Sequence, residues 1–184
     1  AAAVILFDLP AFWIIIRVVG AGLAVLGIDW REKQYKKMND KGSWEPMEDR
    51  YLIIADDFTG ANDTGVQLKR RGYPTEVLFA GKPVDSQKSI VIDTESRNAL
   101  PGHAYEIVRH SLEQVDFGQF CYIIKKVDST MRGNISQEIK AVDDAFRPDL
   151  VVFAPALPAL GRTTMDGVQC LNGVEICKTE LSKD

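Results

Sequence analysis

Histidine and cysteine are scarce in this chain: 2 of the first and 3 of the second among 184 residues. The histidines, His103 and His110, stand seven apart, so they share a helix face without the i, i+4 pairing of a metal motif. They read as partly exposed helix residues. Cys121, Cys170 and Cys177 are an odd number with no Cys-x-x-Cys spacing. That argues against a zinc site and a disulfide framework and suits a reducing compartment, here taken to be the cytoplasm. No metal site is expected. A basic surplus is missing as well: 22 Lys and Arg stand against 26 Asp and Glu, a formal charge of −4. Nucleic acid is therefore not an expected partner. A small anion would be held by a few local cations, not by the field of the whole molecule.

Phosphate cradles are also lacking. Gly60 and Gly65 have the spacing of a Walker A loop, but Val66 and Gln67 occupy the places of its Lys and its Ser or Thr. No Gly-x-Gly-x-x-Gly follows a strand, and Phe58 stands where a haloacid-dehalogenase-like phosphatase needs its second Asp. No internal repeat or low-complexity segment is evident.

What is present falls into two unlike parts. Residues 4–28 are nearly all apolar, interrupted by Asp8, Pro10 and Arg17, and are followed by Trp30, Arg31, Lys33, Lys36 and Lys37. An apolar stretch with a basic flank resembles a membrane span, yet a charge at its centre is costly. The basic residues follow the apolar run, whereas in a signal peptide they precede it. Met47 stands just before the first orderly strand pattern. Residues 1–46 are therefore read as upstream sequence, an apolar helix over 1–30 and a polar linker over 31–46, with the domain spanning 47–184. A membrane is a partner only if residues 4–28 are a genuine span.

From residue 51 the pattern is regular. Tyr51–Ala55, Thr75–Phe79, Ser89–Asp93, 120–125 and Leu150–Ala154 are short β-rich apolar runs bounded by turn formers. Helical patterns fill 61–71, ending at Gly72 as a left-handed cap, then 103–115, and Ile135–Phe146, entered through Asn134 and stopped before Pro148. Alternation of this kind predicts an incomplete three-layer α/β/α domain on a mainly parallel sheet.

In such sheets ligands collect beyond the carboxyl ends of the strands, and the polar residues of this sequence gather there. Asp56, Asp57, Thr59, Asn62 and Asp63 follow the first strand. Asp56 or Asp57 alone could be a helix cap, but the group exceeds what one cap needs. Arg97, after the third strand, reads by default as a surface arginine. Lys125, Lys126, Asp128, Ser129, Thr130 and Arg132 precede a helix start, an arrangement suited to an anion. Arg162 and Thr163 form a similar loop between two glycines. Carboxylates that accept from hydroxyls beside cations that hold a carboxylate suit a small polyhydroxylated acid.

The stretches 54–65, 125–134, 154–156 and 161–167 together resemble the four-carbon acid sugar kinase family, whose members act on threonate, erythronate and 3-oxo-tetronate. The resemblance runs from about Met47 to Asp184. It implies a two-domain enzyme whose amino-terminal domain binds the sugar acid and whose carboxyl-terminal domain binds ATP and most of the Mg²⁺, with phosphate passing to the terminal hydroxyl. This chain would be the substrate-binding part, cut off before the nucleotide half. Asp56, Thr59, Asn62, Asp63, Arg97, Lys126, Ser129, Thr130, Arg132, Arg162 and Thr163 would bind substrate, and Asp57 or Asp128 would orient the attacking hydroxyl. The alternative is a binding module that takes a small hydroxy acid without turnover. A truncated sheet also leaves room for a homo-oligomer.

Overall fold

The computed structural model describes residues 3–7, 49–82, 84 and 87–183. Among them Ala3–Phe7 (β1), Tyr51–Ala55 (β2), Thr75–Phe79 (β3), Ser89–Asp93 (β4), Tyr122–Lys125 (β5) and Leu150–Ala154 (β6) form one sheet in the order β3-β4-β2-β5-β1-β6. Every pairing in it is parallel. Phe58–Arg70 (α1), Pro101–Ser111 (α2) and Ile135–Phe146 (α3) cover it.

β2 and β4 are buried at every position, which requires cover on both faces. The period of two divides the core accordingly. Leu52, Ile54, Ile90, Ile92 and Ile123 pack with Val108, Leu112, Ala141 and Val142 on the side of α2 and α3. Tyr51, Ile53, Ala55, Val91 and Ile124 pack with Ala61 and Leu68 of α1 on the other. This is the expected three-layer α/β/α arrangement. At about 1.5–3 kcal/mol for each large apolar side chain, these two layers are the main source of stability.

Helix α1 ends as predicted at Gly72, whose φ of 89° lies in the left-handed region. The Gly72 amide donates to Lys69 O and the Tyr73 amide to Leu68 O, a Schellman closure. Asn134 does precede α3, but its side chain makes no cap bond and serves the neighbouring loop instead.

Two features differ from expectation. Within the apolar helix predicted over 1–30, Ala3–Phe7 is a strand, registered against β5 (Val4↔Ile123) and along all of β6 (Ala3↔Leu150 to Phe7↔Ala154). A short, wholly apolar run fits a buried parallel strand as well as a helix, and periodicity does not separate the two. The rest of that segment and the linker over 31–46 lie outside the described residues. No helix among the described residues is long and apolar enough to cross a membrane.

The second difference is a small antiparallel sheet where a loop was expected. Arg162–Met165 (β7), Val168–Leu171 (β8) and Val174–Glu175 (β9) pair in sequence. Asp166-Gly167 and Asn172-Gly173 turn between them, all four with φ between 50° and 81°. Two consecutive left-handed residues are the signature of a type I′ hairpin turn.

Candidate functional site

β2 lies between β4 and β5. The chain leaves β2 into α1 on one face of the sheet, and leaves β4 and β5 toward α2 and α3 on the other. Neighbouring strands whose exits diverge open a crevice at their carboxyl ends. Asp56, Asp57, Arg97, Lys126, Asp128 and Arg132 all lie at these exits.

Asp57 is the N-cap of α1, and its Oδ1 accepts from the Gly60 amide at 3.0 Å. Capping therefore accounts for one oxygen only. Its Oδ2 accepts from Arg97 Nη1 at 2.8 Å, while Arg97 Nε and Nη2 bind Asp56 Oδ2 and Oδ1 at 2.7 and 3.0 Å. One guanidinium thus clamps both carboxylates. Far from being a surface arginine, Arg97 has a side chain only 17% exposed, and Asp56 is 2% exposed. Burial pushes the Asp56 carboxyl up, but the charges of Lys125 and Arg97 outweigh it and hold it below the ordinary carboxylate value. Burial favours loss of the Arg97 proton, and the hydrogen bond and charge of Asp56, with Asp57, more than restore it.

The loop after β5 is closed by Asp128. Its carboxylate accepts from the Thr130 amide at 3.1 Å and from the Thr130 hydroxyl, and from Arg132 Nε and Nη2 at 3.0 and 2.8 Å. Burial opposes ionisation, yet the bonds from Arg132 and Thr130 prevail and hold Asp128 well below the usual range. This loop abuts the Arg97 clamp. Gly133, at φ 91°, would be strained by any side chain, and a Cβ there would lie a tight 3.2 Å from Asp56 Oδ2 and from Arg97 Cγ.

The adjacent lysines divide between the faces, as alternation dictates. Lys126 turns toward α1, its Cε 3.8 Å from where a Gly60 Cβ would stand, and its Nζ donates to Val127 O at 2.9 Å. Lys125 turns the other way and is sequestered, 2.9 Å from Glu138 of α3 with both side chains fully buried. An anion-binding role for Lys125 is thereby replaced by a structural ion pair. Glu138 Oε1 in turn accepts from Ser96 Oγ at 2.5 Å. The Thr94 and Ser96 hydroxyl oxygens are 2.8 Å apart, and Thr94 donates to Ala55 O at 2.8 Å.

The other predicted residues are placed less centrally. Ser129 and Thr130 are buried in the Asp128 loop. Asn62 donates to Phe58 O at 2.8 Å on the first turn of α1, near exposed Thr59 and Asp63. Arg162 and Thr163 lie on β7, half-buried, with Arg162 Nε enclosed and unpaired. The antiparallel sheet reaches the crevice through Gln169, which donates to Ser129 O at 2.8 Å. A cavity of about 450 Å³ lies between Thr130–Arg132 and the β8 side of that sheet.

Sequence reasoning did not single out Asp93, Glu95, Ser96 or Glu138 as site residues. Glu95 Oε1 takes the first amide of α1, that of Phe58, at 2.9 Å. Asp93 ends β4 and is 1% exposed, with Oδ2 unpaired and Oδ1 accepting from the Glu95 amide at 3.2 Å. Burial, reinforced by the charges of Glu95 and Asp57, raises its carboxyl to about 6. Glu138 had a signal: it stands in the buried stripe of α3 with Ala141 and Val142. Among the described residues, no group of three or more His, Cys, Asp or Glu is arranged to hold a metal ion.

Residues 51–184 match the family described as the sugar-binding N-terminal domain. A D-threonate kinase of Salmonella typhimurium is 41% identical over 138 residues, which are 73% of this chain and 33% of that protein. A D-erythronate kinase of Heliobacterium modesticaldum is 37% identical over 140 residues, 72% of this chain and 32% of that protein. A 3-oxo-tetronate kinase of Brucella melitensis is 33% identical over 143 residues, with shares of 72% and 32%. The chain thus spans about a third of the length of these curated relatives. Among solved structures, a domain of unknown function from Bordetella bronchiseptica, a domain-swapped dimer with bound citrate, superposes with a TM-score of 0.66 at 32% identity, over 74% of this chain and 37% of that one. With 134 consecutive residues matched and relatives of this kind, the chain belongs to the sugar-binding N-terminal domain family of the four-carbon acid sugar kinases.

Proposed function

We propose that this chain supplies the sugar-acid-binding side of an ATP-dependent kinase that phosphorylates a four-carbon sugar acid, of the threonate, erythronate or 3-oxo-tetronate type, on its terminal hydroxyl. The observation that carries the reading is the Arg97 clamp on Asp56 and Asp57, set against the Asp128–Arg132 pair and Lys126 in one crevice. Carboxylates and cations alternate there over a few ångströms, which complements an acid bearing several hydroxyls. The citrate in the Bordetella structure, a hydroxy acid, supports the ligand class, and its dimeric state supports a homo-oligomer.

The roles follow from which atoms are engaged. Both oxygens of Asp56 are held by Arg97, so Asp56 positions the guanidinium. Asp128 is committed to Arg132 and Thr130 and is held strongly ionised, which makes it a poor proton acceptor. Asp57 accepts one bond at each oxygen, from the Gly60 amide and from Arg97, but at 24% exposed it is the most open of the three carboxylates, so orientation of the attacking hydroxyl is assigned to it. Lys126 and Arg132 face the carboxylate of the acid. Thr59, Asn62 and Asp63 would contribute from the α1 side, and Arg162 and Thr163 from β7.

The start of α1 does not favour a nucleotide phosphate. The start of α1, where a phosphate would seek backbone amides, has the Phe58 and Gly60 amides occupied by Glu95 and Asp57. Two carboxylates there repel a polyanion. ATP and Mg²⁺ would be held mainly by a second domain, for which proteins of the relatives' length have room.

Calorimetric titration of the chain with D-threonate, D-erythronate and ATP tests this. Saturable binding of one of the acids, lost in Asp57→Ala, and none of ATP is expected. Absence of binding by every four-carbon acid would sink the reading.

A further inference from the structure

Beneath the rim runs a polar network that has no access to solvent. Lys125 and Glu138, 2.9 Å apart, are each 0% exposed. A buried ion pair of this kind contributes little net stability, since a well-packed apolar pair does as well or better. Its bonds have a consistent destination. Lys125 Nζ donates to Lys126 O at 2.6 Å, the carbonyl of a rim residue. Ser96, bonded to Glu138 at 2.5 Å, immediately precedes Arg97. Thr94 donates at 2.8 Å to Ala55 O, immediately before Asp56. From above, Asn134 Nδ2 donates to the carbonyls of Ser96, Arg97 and Ala99 at 3.0, 3.2 and 2.8 Å. The loop that presents Arg97 is thus fixed from both sides: one carboxylate ties the ends of β4 and β5 to α3, and Thr94 ties the end of β2 to that of β4.

We propose that Glu138 and Ser96 are positioning residues: through the Lys125 pair and the Ser96 hydroxyl they set the registry of the β4 and β5 ends, so that Arg97 grips Asp56 and Asp57 in the geometry that receives the sugar acid. The ligand in this statement rests on the function proposed above; the control of Arg97 does not. Neither residue touches the crevice, and both act through Arg97.

The test separates positioning from plain stability. In ¹⁵N-labelled full chain, solvent exchange of the Arg97 Nε–H, which donates to Asp56 at 2.7 Å, is followed in Ser96→Ala, Glu138→Gln and a core control, Val142→Ala. Loss of one buried hydrogen bond predicts about tenfold faster exchange in Ser96→Ala. The control is expected to lower the melting temperature and leave the Arg97 signal unchanged. Glu138→Gln is expected to exchange faster still; should it fail to fold, Ser96→Ala decides alone. Wild-type exchange in Ser96→Ala, or equal acceleration in Val142→Ala, would overturn the proposal. D-threonate titration of the same variants adds a second reading, an affinity about tenfold weaker in Ser96→Ala, at least as weak in Glu138→Gln, and unchanged in Val142→Ala. If the wild type binds no four-carbon acid, the proposed function fails while the exchange measurement still judges the positioning role.

Discussion

Arg97→Lys keeps the charge and loses the fork. The three N–H donors of a lysine radiate from one nitrogen and cannot reproduce the planar fork that spans both carboxylates, so Asp56, 2% exposed, would be left without full compensation. Breaking a buried pair in this way costs about 3 kcal/mol. The expected outcome, read from denaturant midpoints, is a loss of that order for both Arg97→Lys and Arg97→Ala, with no rescue by lysine. Recovery of wild-type stability in Arg97→Lys would show that charge alone suffices. The carboxylates also set the pH dependence, in opposite senses. Asp56 and Asp128 are lowered below their ordinary value of 3.8, so the stability they contribute is present above that value and lost as pH falls through their folded pKa values. Asp93 is raised to about 6. In its window the folded state binds the extra proton, so stability declines as pH rises from about 4 to about 6, by roughly 3 kcal/mol at most. Asp93→Asn is expected to abolish that decline and to be the more stable protein at pH 7. A pH–stability profile unchanged by the substitution would show that Asp93 ionises without penalty.

At the scale of elements, the parallel sheet and its helices were legible because each signal was local and repeated. β2, β4 and α3 are read from Tyr51–Ala55, Ser89–Asp93 and Ile135–Phe146 without error. The antiparallel sheet was missed: its turn pairs Asp166-Gly167 and Asn172-Gly173 are a signal, but they sit in a polar stretch whose short strands lack an apolar alternation. The clamp was less visible. Nothing in a lone Arg97 says that Asp56 lies across the sheet, since that contact spans 41 residues and depends on β2 and β4 being neighbours. The strand at Ala3–Phe7 was hidden by its own composition, and it lies outside the residues that match the family. Its consequence is testable. β6 makes its ladder with β1 along five residues, so removing residues 1–46 should deprive β6 of that partner. Amide protection is expected to be lost throughout Leu150–Ala154 in the shortened chain, because β6 is the edge strand and β1 is its ladder partner. Unaltered protection of β6 would remove β1 from the sheet.

For the molecule as a whole, a formal charge of −4 means that an anionic ligand approaches against the overall field. Affinity for a sugar acid must then come from short-range contacts in the crevice, where Lys126 and Arg132 stand among carboxylates, and it should discriminate sharply for the ligand's own charge. Replacing the carboxylate of D-threonate by a hydroxymethyl group, as in threitol, keeps the hydroxyls and removes the charge-assisted bonds. These are worth about 2 kcal/mol, so threitol is expected to bind about 30-fold more weakly. In Arg132→Ala or Lys126→Ala the gap between the two ligands should narrow, because acid binding weakens while polyol binding changes little. Calorimetry on the three proteins separates this from a general loss of the site, in which both ligands weaken together. A wild type that bound threitol and threonate equally would show that the crevice reads hydroxyls alone, and the cations would then serve only to hold Asp56, Asp57 and Asp128 in place.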